Sequence, residues 1–371
     1  MVPGSPAALR DGVVVVGAGV VGASVAYHLA RLGVRVTLLD RGAAPAAGVT
    51  GASFAWIGGT GGSGGDWPGG AEDLRGSVLA DHRRLEAEVP GYAVSWTGSL
   101  TWPAGQTAAD PPGVPGRRRV VRDDIAGLEP HLRNPPAHAV HTPGDGGLDP
   151  AGATRALIAA ARSRGATVLL DTAVTALAAE AGRVVGARSS TGFHPAATVV
   201  LTAGTGVAEL SAELPADVRV PVSPAFLVRV AARPGLVRTI VATPDFEVRE
   251  VREGELLMTI PCPDDSSPAA LAQAAERALH RLKNAFRGAD ECRLLDYRLG
   301  RRPMPPHGPL IGYAAPDRSA YVAVMHSAVT LAPTAGRLVA AELATGEQPP
   351  ELRRCRPRWT TPAAGNGDLM P

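Results

Sequence analysis

Cysteine is scarce in this chain of 371 residues: Cys262, Cys292 and Cys355 stand far apart, and no two form a C-x-x-C pair. That excludes a disulfide framework and a cysteine-built zinc site, and the expectation for metals is none. Long apolar runs are missing as well. None approaches the ~18 residues of a membrane span, and the lead-in from Met1 to Gly12 is too short and too polar for a secretory signal. The expectation is a cytoplasmic protein without a membrane span. Lysine is nearly absent, Lys283 being the single one, and 37 basic residues against 35 acidic leave a formal net charge of +2. So even a balance, with the arginines scattered, argues against a nucleic-acid partner or an anionic membrane surface. There is no internal repeat, and at this length, with 45% hydrophobic residues, two joined domains are expected.

Glycine is abundant, at 44 residues, and three of them stand in a telling place. Val13 to Asp40 reads VVVVGAGVVGASVAYHLARLGVRVTLLD. Four valines make a short buried strand, and Gly17, Gly19 and Gly22 form G-x-G-x-x-G where that strand turns into a helix. The glycines serve a tight turn, close approach of backbone to a pyrophosphate, and close packing of helix on strand. The helix runs from about Val20 to Leu32 and stops at Gly33. A second strand, Val34 to Leu39, delivers Asp40, 18 positions after Gly22, where an acid accepts ribose hydroxyls. The motif alone is weak; strand, glycines, helix, strand and acid in one register predict a dinucleotide site.

Further along, Gly48 to Gly59 reads GVTGASFAWIGG, small residues that let backbone approach something flat. Gly58 to Gly70 reads as a connection, Leu74 to Val89 as a helix with Leu74, Val78, Leu85 and Val89 on one face, and Ser95 to Trp102 as a strand. Asp110 to Arg119 is a Pro/Gly-rich basic loop, its Arg117 to Arg119 run expected to be solvated. From Gly147 the pattern predicts a helix starting near Pro150 and strands at Thr167 to Leu170, Val174 to Leu177, Arg183 to Ser189 and Ala197 to Thr202. The last of these ends in a second glycine-rich turn, AGTG at Ala203 to Gly206. Val218 to Pro261 reads as antiparallel strands and Pro268 to Phe286 as a helix. Arg298 to Gly346 closes the informative part: RLGRRPMPPHGPLIGY, a strand AYVAVM, then HSAVTLAPTAGRLVAAELATGE, a helix with Pro333 in its first turn and Gly346 after its last.

These blocks, in this order, resemble the FAD-dependent amine oxidoreductases of the D-amino-acid oxidase, glycine oxidase and sarcosine oxidase superfamily. The resemblance covers 13 to 41, 50 to 57, 148 to 206 and 298 to 346. It implies an α/β plus α+β fold, with a Rossmann-like FAD-binding domain of mostly parallel sheet and a discontinuous antiparallel-sheet substrate domain. The expected division is 1–76, 145–215 and 298–360 for the FAD-binding domain, 77–144 and 216–297 for the substrate domain, and a disordered tail over 361–371. Residue by residue, Gly17, Gly19, Val20, Val21, Gly22, Asp40 and Arg41 match the ADP half of the cofactor site. Thr50, Ser53, Ala203 and Gly204 match contacts to phosphate and flavin, and Val174 matches the backbone beside adenine. His326 to Ala332, with Ser327, Thr330 and Leu331, matches the loop against the flavin pyrimidine, the Pro333 helix pointing at it. Arg302 matches the arginine that holds a substrate carboxylate; His326 is the second catalytic candidate.

The implied activity is oxidation of the C–N bond of an amino acid, N-alkyl amino acid or amine by hydride transfer to flavin N5, giving an imine that hydrolyses. Oxygen or a redox partner takes the electrons. FAD is expected to be noncovalent, because no cysteine lies between Arg293 and Arg354. His307 stands where the family commonly has Asp, and Ala328 where glycine is common. An electron-passing flavoprotein subunit and a nicotinamide-dependent dehydrogenase are the alternatives. Arg249 is expected in a strand-surface ion pair, and Tyr297 and Trp56 either line the pocket or pack in the core.

Overall fold

The computed structural model describes residues 12–58, 71–102 and 116–359. The glycine-rich connection, most of the basic loop and the C-terminal tail fall outside them.

The valines Val13–Val16 form a strand buried along its whole length, as β-branched side chains covered on both faces of a parallel sheet should be. It sits inside a six-stranded sheet whose order is Leu310–Tyr313, Ala320–Val324, Thr198–Leu201, Val13–Val16, Val36–Leu39 and Thr167–Leu169. All neighbours run parallel except Leu310–Tyr313, which closes one edge antiparallel. From Val13–Val16 the chain winds outward through Val36–Leu39 to Thr167–Leu169, then returns to the other side as Thr198–Leu201. That reversal is a topological switch point, where a crevice opens beyond the strand C-termini.

The helix Val20–Arg31 packs on this sheet and ends at Leu32, with Gly33 left-handed at φ +78°. The helix Pro150–Arg162 starts at Asp149, whose side chain accepts the Ala151 N–H at 3.1 Å. The helix Ala328–Thr345 lies against the first helix so closely that Ser24 Oγ donates to the Ala332 carbonyl at 2.7 Å. The helix Glu72–Glu88 buries Leu74, Val78 and Leu85 and is tied to the last helix by Asp81, whose two oxygens accept Nε and Nη2 of Arg337, both at 2.9 Å.

A second sheet of eight strands has the order Arg293–Pro303, Val222–Ala231, Glu255–Ile260, Glu247–Arg252, Ile240–Ala242, Ser99–Thr101, His138–Thr142 and Arg118–Val121. It is antiparallel apart from the pair Ile240–Ala242 with Ser99–Thr101. One face, carrying Phe226, Val228, Val248 and Met258, packs under the helix Pro268–Ala285 through Ala274, Ala278 and Leu282. The other face looks toward the turns of the six-stranded sheet. Gly300 marks that contact: a Cβ there would lie 3.3 Å from the Cβ and carbonyl of Ala52, in the turn Val49–Ala52.

Several expectations change. Arg118 and Arg119, read as loop, are exposed residues of an edge strand. The expected boundary at 298 falls inside Arg293–Pro303, which belongs whole to the large sheet, and the one at 77 falls inside Glu72–Glu88. Val174–Glu180 joins Arg183–Ser189 and Gly192–Pro195 in a separate three-stranded sheet. Pro333 is not in the first turn: the last helix begins at Ala328, with Ser327 as its N-cap, and Pro333 lies inside it. A proline there leaves the carbonyl four residues earlier without its helical donor.

Candidate functional site

Three turns leave the C-terminal ends of adjacent strands in the six-stranded sheet and meet at one edge. The first is Gly17 to Gly19. Gly17 has φ +112°, and a Cβ on it would come within 2.7 Å of the Thr202 carbonyl oxygen. A Cβ on Gly22 would lie 1.9 Å from the Gly17 carbonyl oxygen. Thr202 locks this arrangement from the next strand, its hydroxyl within 2.8 Å of the Val16 carbonyl and 3.1 Å of the Gly17 carbonyl. The second turn, Ala203 to Gly206, therefore abuts the first, with Gly204 left-handed at φ +59°. The third is His326 and Ser327, with Ser327 left-handed at φ +52°. Strained non-glycine backbone of this kind collects at functional sites.

Two helices start from these turns, at Gly19 and Ser327, and neither N-cap residue caps its own helix with a side chain. Both N-termini thus carry the partial positive charge of their first amides into the crevice. Thr50 Oγ1 accepts the Val20 N–H at 3.2 Å, and Ser53 Oγ accepts that of Ala55 at 3.1 Å. Asp40 stands at the end of Val36–Leu39 and accepts the Ala18 and Gly42 N–H groups, each at 2.6 Å. An ionised carboxylate has about four acceptor positions, so capacity remains for ribose hydroxyls. Arg41 is exposed beside it, and Val174 is half-buried at the start of its strand. Backbone bare of Cβ atoms, two uncapped helix starts and an acid with spare lone pairs fit a dinucleotide. Asp40→Ala is expected to weaken FAD by about 1–3 kcal/mol, read as flavin occupancy after dialysis; unchanged occupancy would mean that the ribose is held elsewhere.

The side chain of Leu331 is fully buried in the core, and its N–H donates to the Ser327 carbonyl, closing the first turn of the helix. Thr330 acts as an anchor, its hydroxyl donating to the Trp56 carbonyl at 2.7 Å, while Trp56 Nε1 donates to the buried carboxylate of Asp145 at 3.0 Å. The Thr330 carbonyl is 3.0 Å from His82 Nε2, and His82 Nδ1 is 2.9 Å from the Tyr92 hydroxyl. The imidazole thus donates to Thr330 and accepts from Tyr92. His82 and Asp145 were not expected at the site, since their role depends on contacts between distant segments.

Burial pushes the His82 pKa down to about 4. The unfolded chain takes up a proton below about 6.5 that the native state refuses, so the neutral histidine's contribution is complete above that pH and is lost as pH falls toward 4. Relative to His82→Gln, wild-type stability is expected to fall by about 1.4 kcal/mol per pH unit across this window. Denaturant melts of both proteins from pH 7 to 4 check it; a constant difference would show that His82 does not titrate this way.

On the facing sheet, Arg302 is half-buried and Arg301 exposed, as strand alternation requires. Arg302 Nη2 donates to Ser223 Oγ at 2.7 Å and to the Pro224 carbonyl at 3.1 Å; its Nε is buried with no partner among the described residues. Burial lowers its pKa, opposed by Cys262 and Glu247. His326 is half-buried; burial first, then Arg302 and Arg75, pushes its pKa down to about 4, so the imidazole is neutral at pH 7. Arg302 and His326 are therefore brought into one electrostatic neighbourhood by separate sheets.

Arg249 is not in a surface ion pair. It is 2% exposed; Nε donates to the Phe54 carbonyl at 2.7 Å and Nη2 to the Leu148 carbonyl at 2.6 Å. It stitches the large sheet to the turns of the other one, and a Cβ on Gly147 would strike its guanidinium at 2.8 Å. Tyr297 packs against Phe226, ring centres 5.8 Å apart, on the helix side of the sheet and away from the crevice.

Residues 12–342 match the family described as DAO, FAD dependent oxidoreductase. The chain belongs to this family, and FAD is its cofactor, which sets the nicotinamide alternative aside. It is 31% identical over 213 residues to the uncharacterized oxidoreductase YurR of Bacillus subtilis (strain 168), a match spanning 53% of this chain and 56% of that protein. In fold it resembles glycine oxidase from Bacillus cereus ATCC 14579, with TM-score 0.76 at 20% identity over 92% of this chain and 96% of that one. L-amino acid deaminase from Proteus vulgaris gives 0.78 at 20% identity over 96% of each chain. Iminodiacetate oxidase from Chelativorans sp. BNC1 gives 0.76 at 22% identity over 93% and 98%.

Proposed function

We propose that this FAD-dependent oxidoreductase oxidises the C–N bond of an amino acid or N-alkyl amino acid, with Arg302 holding the substrate carboxylate. The position of Arg302 carries the reading: it lies two residues beyond Gly300 on the sheet face that abuts the Val49–Ala52 turn, and it has a buried, unspent N–H. When bound, FAD supplies the hydride acceptor. In this reading Gly17, Gly19, Val20, Val21 and Gly22 offer backbone to the pyrophosphate, Asp40 and Arg41 hold the adenosine ribose, and Val174 backs adenine. Thr50, Ser53, Ala203 and Gly204 line the path to the flavin. The turn at His326 and Ser327, with Thr330 anchored behind it, presents an uncapped helix start that stabilises negative charge on the ring. A neutral His326 adds no charge there. Arg302 fixes the carboxylate and with it the carbon that loses hydride. Water then hydrolyses the imine, and oxygen or a redox partner takes the electrons.

Anaerobic titration of the holoprotein with glycine, sarcosine, L-proline and the D and L forms of alanine tests this. Bleaching of the flavin by at least one is expected. Bleaching by none, or by methylamine equally well, would overturn the carboxylate reading, and no bleaching at all would favour an electron-passing role.

A further inference from the structure

Glu247 opens the strand Glu247–Arg252, flanked by Thr259 on one side and Ala242 on the other, neither of them charged. The next residue, Val248, enters the core under the helix Pro268–Ala285, and the one after, Arg249, crosses to the Phe54 and Leu148 carbonyls. Alternation along a strand puts Glu247 on the side of Arg249, facing the cofactor turns. Arg302 lies on the same face by the same rule, paired with Ser223, whereas Phe226 points to the helix side. The two charges do not touch, since no N···O approach within 4.0 Å joins them. Each nonetheless bears on the ionisation of the other.

Both have unspent hydrogen-bonding capacity. The Glu247 side chain has no hydrogen bond or ion pair among the described residues, and Arg302 Nε is buried without a partner. Burial pushes the Glu247 carboxyl up to about 7, with Arg302 as the one charge acting against it. Arg302 in turn feels Cys262, and His326 feels Arg302 and Arg75. Glu247 is half-buried, and a carboxylate without a partner there is only partly compensated for the water it has lost. A ligand that brings a cation to Glu247 and an anion to Arg302 satisfies both at once.

We propose that Glu247 is the subsite for the substrate amine, accepting N–H bonds from its ammonium or alkylammonium group while Arg302 holds the carboxylate, so that the pair selects zwitterionic amino acids over the acids that lack nitrogen. This rests on the reading of Arg302 given above. Ionised Glu247 also takes the ammonium proton: one N–H bond breaks, one O–H bond forms on the carboxylate, and nothing changes oxidation state. The product is the neutral amine, whose lone pair is free to assist departure of hydride from the neighbouring carbon.

The test uses holoenzyme under anaerobic conditions and the amino acid that bleaches wild-type flavin fastest among glycine, sarcosine, L-proline and the alanines. Acetate and propionate are the nitrogen-free probes, followed by the shift of the flavin spectrum. Glu247→Gln is expected to keep FAD, bind acetate and propionate as wild type does, and bind the amino acid at least tenfold more weakly, with the acid limb of its reduction rate against pH lost. Amino-acid binding within twofold of wild type would overturn the Glu247 subsite and leave Arg302 standing. A Gln variant that loses its FAD marks a structural role and overturns it too. Acetate binding unchanged in Arg302→Lys, or a wild-type flavin that no amino acid bleaches, overturns the parent reading instead.

Discussion

Gly22→Ala is expected to yield protein that retains almost no FAD, while Gly33→Ala retains it fully. The Cβ added at Gly22 would stand 1.9 Å from the Gly17 carbonyl oxygen and 2.5 Å from Thr202 Oγ1, where real Cβ contacts do not fall below 3.0 Å. The nearest obstacle is backbone, so it cannot rotate away. Either the helix Val20–Arg31 lifts off the strand or the glycine turn opens, at the roughly 1–3 kcal/mol of an overpacked contact. Both responses also move the uncapped helix start away from the place where a pyrophosphate would meet it. A hundredfold loss of FAD affinity, about 2.7 kcal/mol, is expected, measured by titrating apoprotein with FAD and following flavin fluorescence. Gly33 has φ +78° with nothing within 4 Å of its ideal Cβ. Alanine there costs about 1–2 kcal/mol of backbone strain at the far end of the same helix. Equal loss of FAD in both variants would show that general destabilisation, and not the turn, governs retention.

The contrast between these glycines was half visible in the sequence. Spacing within Val13 to Asp40 is a local property, fixed by strand, turn and helix periods, and it located Gly17, Gly22 and Asp40 where the structure has them. What spacing could not supply was Thr202, which holds the Gly17 turn from 185 positions away in the chain. The same limit explains Arg249. Read as one sheet with a wet face, the strand predicts a surface ion pair for Arg249; that face instead meets the turns of the six-stranded sheet, and Arg249 is buried on the Phe54 and Leu148 carbonyls. The alternation of Glu247 with Val248 is legible in the sequence, but what its face meets is not. Pro333 misled because proline is commonest at helix starts, whereas here the helix begins at the left-handed Ser327. His82 and Asp145 carry no motif; they matter because the segments they join, Thr330 and Trp56, meet only in the folded chain.

Arg302→Lys is expected to keep its FAD and to lose at least tenfold in the rate of flavin reduction by an amino acid, about 1.4 kcal/mol. The arginine divides its work: Nη2 is held by Ser223 and Pro224, which fixes the plane of the guanidinium, and the buried Nε is left over for a ligand. A lysine ammonium is a single point on a flexible stem. It can replace the anchor or the carboxylate contact but not both at once, so the carbon that gives up hydride drifts from its place. The loss should fall on the reduction step at saturating substrate as well as on binding, because orientation and affinity come from the same fork. Arg301 is the internal control. It pairs with Pro224 on the alternate face and is exposed, so Arg301→Lys should stay within twofold of wild type. Stopped-flow reduction of the two variants separates the outcomes: loss in Arg301→Lys alone would put the carboxylate one residue away, and loss in neither would mean that the substrate is held by something other than a carboxylate contact to this strand.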